Sequence, residues 1–271
     1  MMRRESLAMT SRTWIAVSTL MSLAASIAPA QDDVADVPCE DLKIGGDANK
    51  RYFLIGGGKD SKAPETGFKL AVIMPGGPGT ADFNPFVKRI WKNALSKEYL
   101  VAQPVAVKWT DDQQIVWPTK QNGVKGMKFS TEEFVDAAIK DVSTRYKVDP
   151  RYVFTFTWSS SGPAAYAISL QEKKAVTGSF VAMSVFKPDF LPPLKNAKGH
   201  AYYIDHARDD KTCPFRMAEK ARDELGKAGA KVEFSEQEGG HGWAGDVYGR
   251  MRRGFEWLEK NAAPSPAPRK K

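Results

Sequence analysis

The sequence predicts an α/β fold with a mostly parallel central sheet and helices on both faces. Three observations predict it. Short β-rich runs alternate with helical patterns through the body of the chain. The run at 69–74, Lys-Leu-Ala-Val-Ile-Met, is almost continuously apolar, as a strand buried on both faces must be. The helical stretches between strands are long enough to act as the crossovers that parallel neighbours require.

Taken in order, the 69–74 strand runs into Pro75-Gly76-Gly77-Pro78-Gly79, a glycine loop. Phe83, Phe86, Val87, Ile90, Trp91 and Ala94 then form a stripe at helical spacing, opened by the cap and first-turn proline Asn84-Pro85. A strand is expected at 99–107. Ser130 to Glu133 reads as a capping box, in which hydroxyl and carboxylate each satisfy a free backbone N–H. It opens a helix whose Val135, Ile139, Val142 and Tyr146 share a face. Strands follow at 152–156, 179–185, 201–205 and 231–235, with helices at 163–170 and 215–225. Val247, Met251, Phe255 and Leu258 mark a last helix.

Length and composition narrow the function. The 271 residues are 42% hydrophobic and 27% charged, a globular composition with enough apolar material for one large core. The net charge of +8 gathers at the ends, in Arg3, Arg4 and Arg12 and in Arg269, Lys270 and Lys271. The body between them is close to balanced, so no nucleic-acid partner is expected. Residues 1–30 read as a secretory signal: a basic start, an apolar stretch from Trp14 to Ile27, then Ala28-Pro29-Ala30 before Gln31. The apolar stretch is short and interrupted by Ser18, Thr19, Ser22 and Ser26, so no stable membrane insertion is expected after cleavage. Residues 31–39 form an N-terminal segment, 40–261 the folded body and 262–271 a disordered Pro/Ala tail. The chain is thus expected to be exported, to the periplasm or beyond. Export permits a disulfide between its two cysteines, Cys39 and Cys213, the alternative being two separate thiols.

Ligands of such sheets sit at the carboxyl ends of the strands. After the 152–156 strand comes Thr157-Trp158-Ser159-Ser160-Ser161-Gly162, then a helix with the small residues Ala164 and Ala165. A strand, a sharp turn carrying serine and a helix are the layout of a nucleophile elbow, the alternative being a serine-rich turn that caps the helix. The usual pattern is G-x-S-x-G. Centring on Ser159 puts Thr157 and Ser161 at the glycine positions; centring on Ser160 recovers Gly162 but puts Trp158 at the other. An activated hydroxyl needs a general base. Of the three histidines, His200 starts a strand and lies at the wrong end of the sheet, and His206 lies on the segment bearing the acids. His241, in Gly239-Gly240-His241-Gly242-Trp243, is on a loop free to approach a neighbouring strand end. The orienting carboxylate is Asp210 or Asp209, just after the 201–205 strand. The oxyanion hole needs two backbone donors: Ser160 follows the nucleophile, and Gly77, with Gly76 next, comes from the glycine loop, where Pro75 and Pro78 have no N–H. Trp158 and Trp243 flank nucleophile and base and are candidates to line the substrate pocket; Trp109 and Trp117 read as core. Three scattered histidines and two distant cysteines have no ligand spacing, so no metal or cofactor is expected.

The chain resembles α/β-hydrolase-fold serine esterases over about residues 50–260, in particular the secreted polyhydroxybutyrate depolymerase/feruloyl esterase-like group and the phospholipase/carboxylesterase and dienelactone hydrolase families. Val148-Asp149-Pro150-Arg151-Tyr152-Val153 resembles the V-D-P-x-R-V lead-in of that group. The segment from His206 through Asp210 to Cys213-Pro214 resembles its H-G-x-x-D-x-x-V-P acid loop, and Gly240-His241-Gly242-Trp243 its G-H-x-W base loop. The resemblance implies the acid on Asp210, the order Ser159, Asp210, His241 and an oxyanion donor at Gly77. It departs at both elbow glycines, at Pro75 for a histidine and at Ala207 for a glycine. The implied activity is cleavage of a small-molecule or polymeric carboxylic ester through an acyl-enzyme. The alternatives are a non-catalytic binding protein of the same fold and a serine peptidase.

Overall fold

The computed structural model describes residues 33–58 and 61–262. The expected export signal, its cleavage at Gln31 and all but the first residue of the Pro/Ala tail lie outside the described residues.

Eight strands form one sheet. In chain order they are β1 (Cys39–Lys43), β2 (Arg51–Ile55), β3 (Phe68–Met74), β4 (Tyr99–Pro104), β5 (Val148–Trp158), β6 (Gly178–Ala182), β7 (Ala201–Ala207) and β8 (Lys231–Gln237). Their spatial order is β1-β2-β4-β3-β5-β6-β7-β8. From β4 to β8 all neighbours are parallel, as the sequence predicts, while β1 and β2 add an antiparallel edge. The helices are α1 (Asn84–Ala94), α2 (Thr131–Arg145), α3 (Gly162–Ser169), α4 (Phe215–Lys227) and α5 (Val247–Asn261). None among the described residues is long and apolar enough to cross a membrane.

Strand periodicity sorts the core into two layers. Ala71 and Ile73 of β3 face Val87 and Ile90 of α1 and Met251, Phe255 and Leu258 of α5. Leu70, Val72 and Met74 point the other way, to Val135, Ile139 and Val142 of α2 and Ala164 and Ile168 of α3. The second layer continues under α3 and α4 with Tyr202 and Ile204. Val34 and Val37 are buried in the first layer, so the body begins before the expected boundary at 40.

Three strand limits differ from expectation by three residues or more, each for a local reason. β5 begins at Val148 because the chain pairs on both sides of Pro150. Phe68 faces Val148 and Leu70 faces Val153, an irregularity that accommodates a residue with no N–H to offer. β4 stops at Pro104, and β6 stops at Ala182, where Met183 turns out of the strand with φ 46°.

The two cysteines are free, so of the two alternatives the structure has the separate thiols and not the possible disulfide. Cys39 is on edge strand β1 and Cys213 follows β7, six strand spacings across the sheet. That is roughly 29 Å at about 4.8 Å per strand, whereas a disulfide needs Cα atoms within about 7 Å.

At the amino-terminal edge of the parallel strands, α5 ends in a polar lattice. Glu259 accepts from Lys69 Nζ at 2.6 Å and from Tyr99 Oη at 2.7 Å, and Lys231 Nζ donates to the Asn261 carbonyl at 2.9 Å. The opposite edge carries the site.

Candidate active site

The strand order reverses beside β3, so the carboxyl ends of β3 and β5 open a crevice. β3 delivers the 75–79 glycine loop to it and β5 delivers Ser159.

Ser159 has φ 56°. A side chain in this left-handed region costs on the order of 1–2 kcal/mol, so its surroundings must hold it there. Ser161 does much of this. Its Oγ accepts from the Trp158 N–H at 3.1 Å and lies 2.7 Å from the Met74 carbonyl, stitching the turn to the end of β3. Ser184 Oγ donates to the Ser159 carbonyl at 2.7 Å. Thr157, at the other expected glycine position, fits inside the sheet, with its hydroxyl 3.3 Å from the Phe180 carbonyl of β6. The close approach falls instead on Gly162, where a Cβ would lie 2.0 Å from Ser184 Oγ. Pro163 then occupies the first turn of α3.

His241 Nε2 lies 2.9 Å from Ser159 Oγ, and His241 Nδ1 lies 2.8 Å from Asp210 Oδ2. The carboxylate only accepts, so Nδ1 carries the proton and Nε2 is free to accept from the serine hydroxyl. Asp210 Oδ1 accepts from the Thr212 and Cys213 amides, both at 2.8 Å. Burial pushes the Asp210 carboxyl up, but the hydrogen bonds from His241, Cys213 and Thr212 outweigh it and hold it below its ordinary value. The Asp210 side chain is fully buried, while that of His241 is 24% exposed. The neighbouring acid acts on the backbone instead. Asp209 Oδ1 accepts from the Gly240 amide at 2.9 Å and so tethers the loop that carries His241. In that loop Gly239, Gly240 and Gly245 have φ of 112°, 65° and 66°, conformations that favour glycine.

The 75–79 loop lies against the elbow. Gly76 packs on Trp158, whose carbonyl oxygen lies 2.6 Å from where a Cβ would stand. Gly77 has φ 56°, and Ser160 Oγ donates to its carbonyl at 2.8 Å. One hydroxyl therefore ties together the two residues expected to supply the oxyanion donors. Trp117 Nε1 donates to the Pro75 carbonyl at 3.0 Å, supporting the same loop from below.

Of the remaining histidines, His200 is buried at the far edge against Ser179 Oγ, 3.0 Å away, and burial drives it well below the usual imidazole value, so it is neutral. His206, buried on β7, donates Nε2–H to the Cys213 carbonyl at 2.7 Å and lies 3.4 Å from Asp210 Oδ2.

The expected place of Trp158 and Trp243 in the substrate pocket is corrected for Trp158. Trp158 is 6% exposed, and its ring packs edge-on against Phe83, Phe86 and Trp243. A cavity of about 220 Å³ adjoins Ser160 on the other side of the elbow, lined by Ile115, Val116, Trp117, Tyr166 and Leu191, with Lys187 and Phe190 also on its wall. Trp117 is both core, at 3% exposed, and cavity wall. The sequence does not reveal these roles, because they depend on the 105–130 loop folding back over the elbow.

No family model and no curated protein matches the sequence. Solved structures do match the fold. A thermostable esterase from Pseudomonas putida is similar with TM-score 0.62 and 11% identity, over 85% of each chain. The Bacillus cereus carboxylesterase is similar with TM-score 0.55 and 16% identity, over 84% of this chain and 95% of that one. The Pyrococcus horikoshii acylaminoacyl peptidase is similar with TM-score 0.58 and 14% identity, over 87% of this chain and 43% of that one.

This is an α/β-hydrolase fold. Within it, Ser159 occupies the strand-to-helix elbow after β5, Asp210 the loop after β7 and His241 the loop after β8. The departures at Thr157 and Ser161 are absorbed by hydrogen bonds to the neighbouring strands, and the α/β-hydrolase elbow keeps its sharp turn.

Proposed function

We propose that the protein is an exported serine hydrolase that cleaves carboxylic esters. The observation that carries this reading is the unbroken relay Ser159 Oγ, His241 Nε2, His241 Nδ1, Asp210 Oδ2, with links of 2.9 and 2.8 Å. Ser159 attacks the ester carbonyl while His241 takes its proton. The tetrahedral oxygen is met by the Gly77 and Ser160 amides. His241, held by Asp210, returns the proton to the leaving alcohol, and water then cleaves the acyl-enzyme by the same steps in reverse. The cavity beside Ser160 favours an ester with a small apolar group. Export is supported by the signal-like residues 1–30.

A fluorophosphonate probe tests the reading directly. Mass spectrometry is expected to place the adduct on Ser159. Ser159→Ala and His241→Ala are each expected to lower aryl-ester hydrolysis by several orders of magnitude to similar floors, because triad members act as a unit. A label on Ser160 or Ser161 would overturn the register. A folded protein that takes no label and cleaves no ester would overturn the enzyme reading in favour of a binding protein. Turnover of aryl amides at rates matching aryl esters would move it to a peptidase.

A further inference from the structure

We propose that Cys213, Asp210 and His241 form a binding site for a soft divalent cation, zinc or cadmium, and that occupation of this site switches the catalytic base off. The switching half rests on His241 acting as general base; the site itself does not.

The fold assembles a donor set that the sequence disperses. Cys213 Sγ, a carboxylate oxygen of Asp210 and a ring nitrogen of His241 all lie within 4.8 Å of one another. A thiol, an imidazole and a carboxylate are the three side-chain types that hold zinc. The proposed relay accounts for the carboxylate and the imidazole but not for the sulfur. In the acid-loop pattern that this chain resembles, the position of Cys213 is a valine, so packing there does not require a thiol.

The geometry is close to what a tetrahedral ion needs. Zinc bonds of about 2.0–2.3 Å put neighbouring ligand atoms roughly 3.5 Å apart. The Asp210–His241 pair, at 2.8 Å, must open slightly, and the sulfur must close by on the order of 1 Å. His241 supplies the movement, since its loop is rich in glycine. Its 24% exposed side chain also gives a path to solvent and a fourth position for water. His206 stays outside the set, because its Nε2–H is committed to the Cys213 carbonyl.

The proton balance explains the switch. The cation bonds to Cys213 sulfur as the thiol releases one proton to solvent. It bonds to His241 Nδ1 as the proton there moves to Nε2 of the same ring. His241 then presents an N–H to Ser159 Oγ instead of a lone pair, and the serine has nowhere to send its proton. Removing the cation restores the starting tautomer.

Cadmium and zinc test the two halves separately. Cadmium titrated into the whole chain is expected to produce the ultraviolet charge-transfer band of a cadmium thiolate, with no ester present. Cys39→Ser should keep the band, while Cys213→Val and Cys213→Ser should each abolish it. A band that follows Cys39, or no band at all, overturns the site. Zinc is expected to inhibit ester hydrolysis reversibly, with activity restored by a chelator. Scaling each chain to its own metal-free rate, the zinc concentration for half inhibition should rise by roughly tenfold or more in Cys213→Val, since losing a direct ligand costs at least as much as losing an outer partner. Equal sensitivity of the two chains overturns the switch. A Cys213-dependent band in a chain that hydrolyses no ester supports the site and overturns the hydrolase reading instead.

Discussion

At the residue scale, the elbow serines divide the labour. Ser159 is presented, Ser161 fastens the turn to β3, and Ser160 fastens the 75–79 loop through its hydroxyl. Ser160→Ala keeps the backbone N–H but frees the Gly77 carbonyl. It is expected to lower kcat by roughly tenfold at nearly unchanged KM in steady-state ester hydrolysis, a fraction of the loss on deleting a whole oxyanion donor. Asp210 gives a pH prediction. Its carboxyl lies below 3.8 in the folded chain, so its hydrogen bonds contribute stability that is fully present above pH 3.8 and is lost as pH falls through the lowered folded value. Asp210→Asn should therefore lower Tm more at neutral pH than at strongly acid pH; an equal loss at both would overturn this. The residue types of the relay are legible in the sequence because chemistry restricts them. The tolerance of Thr157 and Ser161 is not, because it depends on partners in β6 and β3 that only the fold brings near.

At the scale of elements, the loop between β8 and α5 is the glycine-rich part of the site. Glycines give it freedom, and Asp209 and Asp210 hold it at two successive points, the Gly240 amide and the His241 ring. Asp209→Ala should leave the triad chemistry intact but loosen the loop. Hydrogen exchange at the 240–243 amides should accelerate, and kcat should fall by a few-fold. Unchanged exchange would mean that Asp209 is only a surface acid. In the sequence the paired acids read as alternatives, whereas the fold uses both. Strand β1 is not legible there, whereas β2 carries a strand-like apolar run, Tyr52-Phe53-Leu54-Ile55. Cys39-Glu40-Asp41-Leu42-Lys43 is polar and mostly exposed, as an outer strand can be, and so lacks the apolar signal that reveals the six parallel strands. Five of those six are legible because burial on both faces leaves them little choice of side chain, while β8, at the edge, shows the alternation of Val232 and Phe234 instead.

For the whole molecule, two separate thiols imply that folding owes nothing to oxidation. Denatured, unreduced protein should titrate with two thiols, and a reducing agent should leave Tm unchanged; either result failing would restore the bridge. N-terminal sequencing of exported material is expected to begin at Gln31, and an intact Met1 would contradict the export signal. The placement of α5 has a practical consequence. The helix starts at Val247, close behind the loop of His241, and runs to the opposite edge, where Glu259 and Asn261 are pinned by Lys69, Tyr99 and Lys231. The polypeptide therefore leaves its body on the side facing away from the reactive serine. An attachment made just beyond Ala262 would meet the face behind the site and leave the mouth at Ser159 open.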